Sequence, residues 1–181
     1  MHLSDRAVWA PNNAGVNGPL AHVFRYNRWA NLRLIDACRG LTAEQLDARA
    51  RGTSGSIREL LTHVVGAQQT FILRTKGRQH EGELARESAW PGFDVLTSIA
   101  VSTSDELIRI ADAMDTDPEV DLPWQGKVYR YPLSFFLVHA LEHGVEHRTE
   151  IKVTMAALGV ERPDLDGWEY SEAAGYGQEA V

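Results

Sequence analysis

Apolar side chains recur three or four positions apart along much of this chain, and this period constrains the fold more than any other feature of the sequence. Such spacing places the apolar residues on one face of a helix, which must then be buried against other helices. We predict four long helices, over residues 19–40, 57–75, 93–114 and 132–159. The sequence therefore predicts an all-α protein, a four-helix bundle.

Local signals indicate where helices begin and where the helical period is interrupted. Thr42 with Gln45 and Ser56 with Glu59 are capping-box patterns, and the first of them opens a short helical segment. Pro132 suits the first position of the last helix, because proline is favoured there. Just before it, the stretch VDLPWQGKVYRYP contains short β-prone runs, so we predict a small hairpin or an extended loop.

Length and charge limit the class of protein. A chain of 181 residues suits one domain. We expect a flexible leader over 1–18, a single domain over 19–175 and a tail over 176–181. The net charge of −7 repels phosphate backbones, so no nucleic-acid partner is expected. No apolar run approaches the roughly 20 residues of a membrane helix, and the N-terminus lacks the pattern of a signal peptide, so we expect a cytoplasmic protein without membrane contact.

The histidines are the most informative polar residues. His139, His143 and His147 lie four residues apart on the last predicted helix, so successive members differ by only about 40° around its axis. His143 and His147 lie on the face of the last helix that is predicted to enter the core. His63 lies on the core-facing side of the second long helix. Buried imidazoles need partners, and these three predict a divalent-metal site with an open position. A hydrogen-bonded or surface role is the alternative for each of them, and His139 is expected to be a neighbour of the site rather than a ligand.

Two glutamates flank these histidines. Glu146 and Glu150 are candidates to orient a ligand imidazole or to act as a base, and a solvated position on the flank of the helix is the alternative for both. Residues 143–147 also match the H-x-x-E-H metalloprotease pattern, in which Glu146 would be the general base. That pattern needs a distant third ligand, and only 34 residues follow His147, so we set it aside.

Other polar residues in the predicted core have less specific interpretations. Arg148 is expected to pair with a carboxylate or to cap a helix rather than to bind substrate. Asn27 and Asn31, one turn apart on the first helix, either line the same cavity as the histidines or form an interhelical hydrogen bond. Cys38 is the only cysteine, and we expect a small core residue, which leaves histidine and carboxylate as the metal ligands.

Four stretches of the sequence resemble the DinB/YfiT-like family of metal-binding four-helix bundles. They are YNRWANLRLIDACRGLTAEQL, SIRELLTHVVGAQQTF, PLSFFLVHALEHGVEHRTEIKVTMAALG and the ending PDLDGWEYSEAAG. The resemblance covers roughly residues 20–175 and implies that His63, His143 and His147, with Arg148 directly after the last, bind a divalent ion, usually zinc or nickel. One departure is visible, because the family's frequent H-H-R-G-Q motif is E-H-R-T-E over 146–150, which adds a carboxylate near the site.

The resemblance also implies a class of reaction. Characterised members of the family are thiol-dependent enzymes, including transferases that join a low-molecular-weight bacterial thiol to electrophiles and a mycothiol-dependent maleylpyruvate isomerase. We therefore expect a metal-dependent enzyme that activates a low-molecular-weight thiol for transfer to a small-molecule electrophile. A hydrolase that uses a bound hydroxide and a non-catalytic metal-binding bundle are the alternatives. We also expect a homodimer paired through helix faces.

Overall fold

A computed structural model of the chain describes residues 18–79, 84 and 88–177. Its helices are α1 (Pro19–Arg39), α2 (Ala43–Leu46), α3 (Ile57–Arg74), α4 (Phe93–Asp112), α5 (Leu133–Ala157) and α6 (Gly167–Ala174). Strand β1 (Glu119–Trp124) pairs antiparallel with β2 (Lys127–Pro132) to form a hairpin between α4 and α5. The predicted all-α class is confirmed, and so is the hairpin before the last long helix. Most of the predicted leader and the last residues of the predicted tail lie outside the described residues.

The four long helices pack in the spatial order α1, α4, α3, α5. Helix α1 has its most extensive contacts with α4, and α3 lies between α4 and α5. A smaller contact between α5 and α1 completes the bundle. Among the described residues, no helix combines the length and the apolar content needed to cross a bilayer.

The predicted capping boxes form and fix the start of two helices. The Ser56 hydroxyl accepts a hydrogen bond from the Glu59 backbone N–H, while the Glu59 carboxylate accepts one from the Ser56 N–H at 2.8 Å. Thr42 and Gln45 make the same reciprocal pair at the start of α2. Because Ser56 sets where α3 begins, it also sets the direction in which His63 points, nearly two turns later.

The last long helix differs from its predicted bounds at both ends. Pro132 is the N-cap of α5 rather than its first residue, because it is still paired with Glu119 at the end of the hairpin and its ψ of 143° is extended. The helix ends at Ala157, two residues before Gly159, which has a positive φ of 68° that stops the helix. Helix α4 likewise ends at Asp112, short of the predicted residue 114.

The polar ending after Pro163 contains a helix that the sequence analysis did not predict. Asp166 caps α6 by accepting hydrogen bonds from the backbone N–H groups of Trp168 and Glu169, at 2.8 and 2.9 Å. Tyr170 is the buried residue of α6, and its ring lies 5.4 Å from that of Trp29 on α1. Through this contact Tyr170 holds the segment against the bundle.

Two apolar clusters fill the bundle, with a layer of buried polar side chains between them. One cluster includes Trp29, Leu61 and Ile151, and the other includes Phe24, Phe71 and Leu137. Between them each long helix contributes at least one buried polar residue, and together these form what we call the polar layer: Asn27, Gln68, Thr103, Ser104, His147 and Arg148. Gln68 Oε1 accepts hydrogen bonds from the hydroxyls of Thr103 and Ser104 at 2.7 and 3.3 Å. The candidate site lies where this layer meets α3 and α5.

Candidate metal centre

The side chains of His63, His143 and His147 meet between α3 and α5. Nε2 of His63 lies 3.0 Å from Nε2 of His143, and the ring centroids of His143 and His147 are 4.4 Å apart. One nitrogen from each of the three rings lies within 4.8 Å of the other two. The structure therefore brings together the residues that the helical spacing and the family resemblance single out.

These three side chains have the chemistry and the accessibility of a metal site. Ring nitrogens 3.0 Å apart cannot both point a proton at each other, so the pair must share one proton or one cation. Neutral imidazoles are good ligands for zinc and nickel. His147 is buried, whereas His63 and His143 are half-buried, so a small molecule can approach from their side. Within the described part of the chain, no other group of histidine, cysteine and carboxylate side chains converges in this way.

Glu150 orients His147 from the opposite side of its ring. Its Oε2 lies 2.5 Å from His147 Nδ1 and accepts a hydrogen bond from the Ser54 hydroxyl at 2.8 Å, while its Oε1 accepts one from the Ser54 N–H at 2.7 Å. Burial raises the pKa of Glu150, but the hydrogen bonds from His147 and Ser54 outweigh it, so the pKa lies below its ordinary value. A carboxylate that holds a proton on Nδ1 leaves Nε2 of the neutral ring as a lone-pair donor.

The other residues predicted near the site lie farther from the three nitrogens. His139 is half-buried, with its ring centroid 4.7 Å from that of Phe71 and 6.2 Å from that of His143. Glu146 is exposed on the outer side of α5, and no hydrogen bond between it and the three histidines is found in the described structure. Phe71 on α3 was not singled out from the sequence, and its ring centroid lies 5.7 Å from that of His143. Its position two turns after His63 on α3 was the available signal.

Arg148 corrects one of the sequence-based expectations. It is buried, and its Nη1 donates hydrogen bonds to Oδ1 of Asn27 and Oδ1 of Asn31 at 2.7 and 2.6 Å. The prediction that Arg148 pairs with a carboxylate or caps a helix is wrong. Helix α1 presents two amides to the guanidinium, and Arg148 forms no ion pair within the described residues. For Asn27 and Asn31, the interhelical hydrogen bond is the alternative that the structure shows. Gly144 gives Arg148 its space, since a Cβ there would lie 2.8 Å from Nη1.

Cys38 is a core residue, as predicted. It is fully buried, and this burial raises the pKa of its thiol to about 12. A thiol with that pKa stays protonated at neutral pH and is a poor nucleophile.

Comparisons with known proteins agree with the sequence resemblance. The model of the DinB family matches residues 11–180. Among solved structures, a DinB-like protein from Bacillus cereus ATCC 10987 is similar, with a TM-score of 0.59 and 20% sequence identity, over 80% of this chain and 94% of that chain. At 20% identity this similarity supports a shared fold and no shared function. A search of curated proteins finds no match.

Proposed function

Because the chain belongs to the DinB family, we propose that it binds a divalent metal ion through His63, His143 and His147 and activates a low-molecular-weight thiol there for transfer to a small electrophile. The observation that supports the metal site is the approach of one nitrogen from each ring to within 4.8 Å of the others. Zinc and nickel are the preferred ions, since both accept imidazole ligands.

Each residue around the site has a definable part in this proposal. When bound, a divalent ion supplies positive charge, which favours the thiolate form of a small thiol at neutral pH. The three imidazoles are neutral donors, so they leave that charge uncompensated. Glu150 holds the proton of His147 on Nδ1, so Nε2 of that ring keeps a lone pair that can bind the metal ion. The half-buried ring of His139 lies beside His143 and is held 4.7 Å from the buried ring of Phe71, so an apolar part of a substrate can pack against His139.

The thiol has to come from outside the chain. Cys38 is the only cysteine in the sequence, and its burial keeps it protonated and away from solvent. A nucleophilic sulfur in this site therefore belongs to a small molecule, which agrees with a thiol-dependent transferase or isomerase. The half-buried positions of His63 and His143 leave room for its approach.

Metal content tests the first half of the proposal. Tag-free protein should contain about one equivalent of zinc or nickel, as measured by elemental analysis, and His63→Ala and His143→Ala should contain little. His139→Ala is the matched control, because it removes a histidine from the same helix, one turn from His143, and should retain the metal. A wild-type protein that takes up no metal after incubation with zinc or nickel would refute the site.

Thiol dependence tests the second half. Metal-loaded protein is incubated with an aryl chloride and a panel of low-molecular-weight thiols, and the thioether product is followed by absorbance. We expect turnover that requires both a thiol and an intact His143. Ester hydrolysis without a thiol would favour the hydrolase instead, and bound metal with neither activity would favour a non-catalytic bundle. We also propose that the protein is a homodimer, which light scattering can test.

A further inference from the structure

An exposed aromatic ring lies on α5 about two turns before His143. Phe135 is 43% exposed, and its ring centroid lies 6.0 Å from that of His139, which is in turn 6.2 Å from that of His143. These residues are spaced four apart on one helix, so their rings form a row from the start of α5 to the candidate metal centre. Exposed apolar surface that adjoins a polar site is typical of a ligand-binding groove.

The hairpin holds this exposed ring in place. Tyr131 on β2 stacks on Phe135, with the ring centroids 5.0 Å apart and an angle of 16° between the planes. The buried ring of Phe136 contacts Phe135 edge to face, at a centroid distance of 5.4 Å. Tyr131 is itself fixed by its antiparallel pairing with Val120. A ring that is already held in position loses little conformational freedom when a ligand binds, which favours affinity.

The angle between the rings of Phe135 and His139 suits a planar aromatic ligand. Their planes differ by 65°, so a flat ring that stacks on one of them can meet the other edge to face. Aromatic rings prefer these two geometries, and each such pair contributes affinity beyond the burial of apolar area. A saturated ring of the same size gains the burial alone. Low-molecular-weight thiols derived from cysteine are strongly polar, so the electrophile is the reactant that suits this surface.

We propose that Phe135 and His139 bind the aromatic ring of the electrophile, with Tyr131 as the positioning residue that holds Phe135, and that the substrates are therefore aryl compounds. The identification of the ligand as the electrophile rests on the proposed function. The preference of this surface for an aromatic ring does not, because it can be measured without turnover.

A matched pair of unreactive ligands tests the surface by direct binding. The probes are para-(trifluoromethyl)benzamide and its cyclohexane analogue, which carry the same substituents on an aromatic and on a saturated ring. Their binding to the full chain, incubated with zinc, is followed by fluorine NMR. We expect the aromatic amide to bind about fivefold more tightly than the saturated one, as one or two aromatic pairs predict. Any contact of the amide group with a metal ion is common to both probes.

Phe135→Ala is the decisive variant, and it should remove the advantage of the aromatic amide. Phe135→Trp keeps an aromatic ring and should retain the advantage. Val145→Ala is the matched control, because Val145 is 46% exposed on the same helix but lies about 200° around its axis from His143, so this variant should bind both probes as the wild type does. Equal affinities of the two amides for the wild type would overturn the proposal, and so would a preference that survives in Phe135→Ala.

Kinetics then connect this surface to the reaction. With an aryl chloride and a thiol, Phe135→Ala should raise KM about fivefold and leave kcat within about twofold of wild type, because it removes binding energy away from the reacting atoms. With iodoacetamide, which has no ring, KM should stay unchanged. A binding preference for the aromatic amide without turnover by any thiol would refute the proposed function and confirm the aromatic site. If Phe135→Ala changes the oligomeric state in light scattering but neither affinity, the ring belongs to a contact between copies and the proposal fails.

Discussion

Replacing Glu150 by glutamine tests how the site prepares His147 for a metal ion. Glutamine keeps one oxygen, which can still accept the Ser54 backbone N–H, but it exchanges Oε2 for an NH₂ group. Oε2 is the atom that lies 2.5 Å from His147 Nδ1 and accepts the Ser54 hydroxyl at 2.8 Å. In Glu150→Gln a donor therefore faces Nδ1, and the ring is driven to the tautomer that protonates Nε2. That tautomer has no lone pair to offer a metal from Nε2.

Loss of such a carboxylate partner typically weakens metal binding by about 10–100-fold, which corresponds to about 1.4–2.8 kcal/mol. We expect an effect in this range, because Glu150 is itself fixed by two hydrogen bonds to Ser54 and its side chain is only 17% exposed. The assay is a competition titration of zinc between the protein and a chromogenic chelator, at pH 7.5 and fixed salt.

Glu146→Gln is the matched control for this measurement. It makes the same change of charge one turn earlier on α5, at an exposed side chain, so its zinc affinity should stay within about twofold of wild type. If Glu150→Gln and Glu146→Gln bind zinc equally well, the carboxylate does not prepare His147, and the reasoning from this hydrogen bond fails.

Three further changes have outcomes that the structure determines. Gly144→Ala should lower the free energy of unfolding in urea by about 1–2 kcal/mol, although alanine usually favours a helix by about 1 kcal/mol, because its Cβ would displace a charged hydrogen bond of Arg148; equal or greater stability would contradict this. The hydrogen bonds from Arg109 hold the pKa of Glu106 at about 2, so its stabilising contribution is present above pH 4.5 and lost as the pH falls from 4.5 to 2. The stability difference between wild type and Glu106→Gln should therefore shrink over that interval, and a constant difference would refute the assignment. Added zinc should raise the Tm of wild type but not of His143→Ala, and equal shifts in both would place the metal elsewhere.

Much of the fold could be predicted because its signals are local. The capping boxes at Thr42 and Ser56 depend on residues three positions apart, and the long helices depend on a period of three or four. Helix α6 was missed because it is short and buries only Tyr170, although Asp166 is a recognisable N-cap. Pro132 was misplaced by one position, because its conformation is set by its pairing with Glu119, and the sequence does not display that pairing.

The part of the candidate site that lies on a single helix could be predicted from the sequence. The spacing of His143 and His147 puts both on one face of α5, whereas adding His63 required a helix face and a family resemblance. The partners of Arg148 could not be predicted, since Asn27 lies 121 positions away in the chain and reaches it only because α1 packs beside α5. Contacts of this kind depend on the arrangement of helices, and no local pattern encodes them.

The polar layer also bears on which longitudinal alignment of the helices the chain selects. Apolar stripes of leucine, valine and alanine can pack against one another in several alignments that differ by one turn, about 5.4 Å. In only one of them does Gln68 meet Thr103 while Asn27 meets Arg148. A slip of one turn would leave these groups buried without partners, at about 1–3 kcal/mol each. The polar layer beside the candidate site thus determines the longitudinal alignment of the four helices. We expect a variant with apolar residues throughout this layer to be more stable but to pack in more than one alignment.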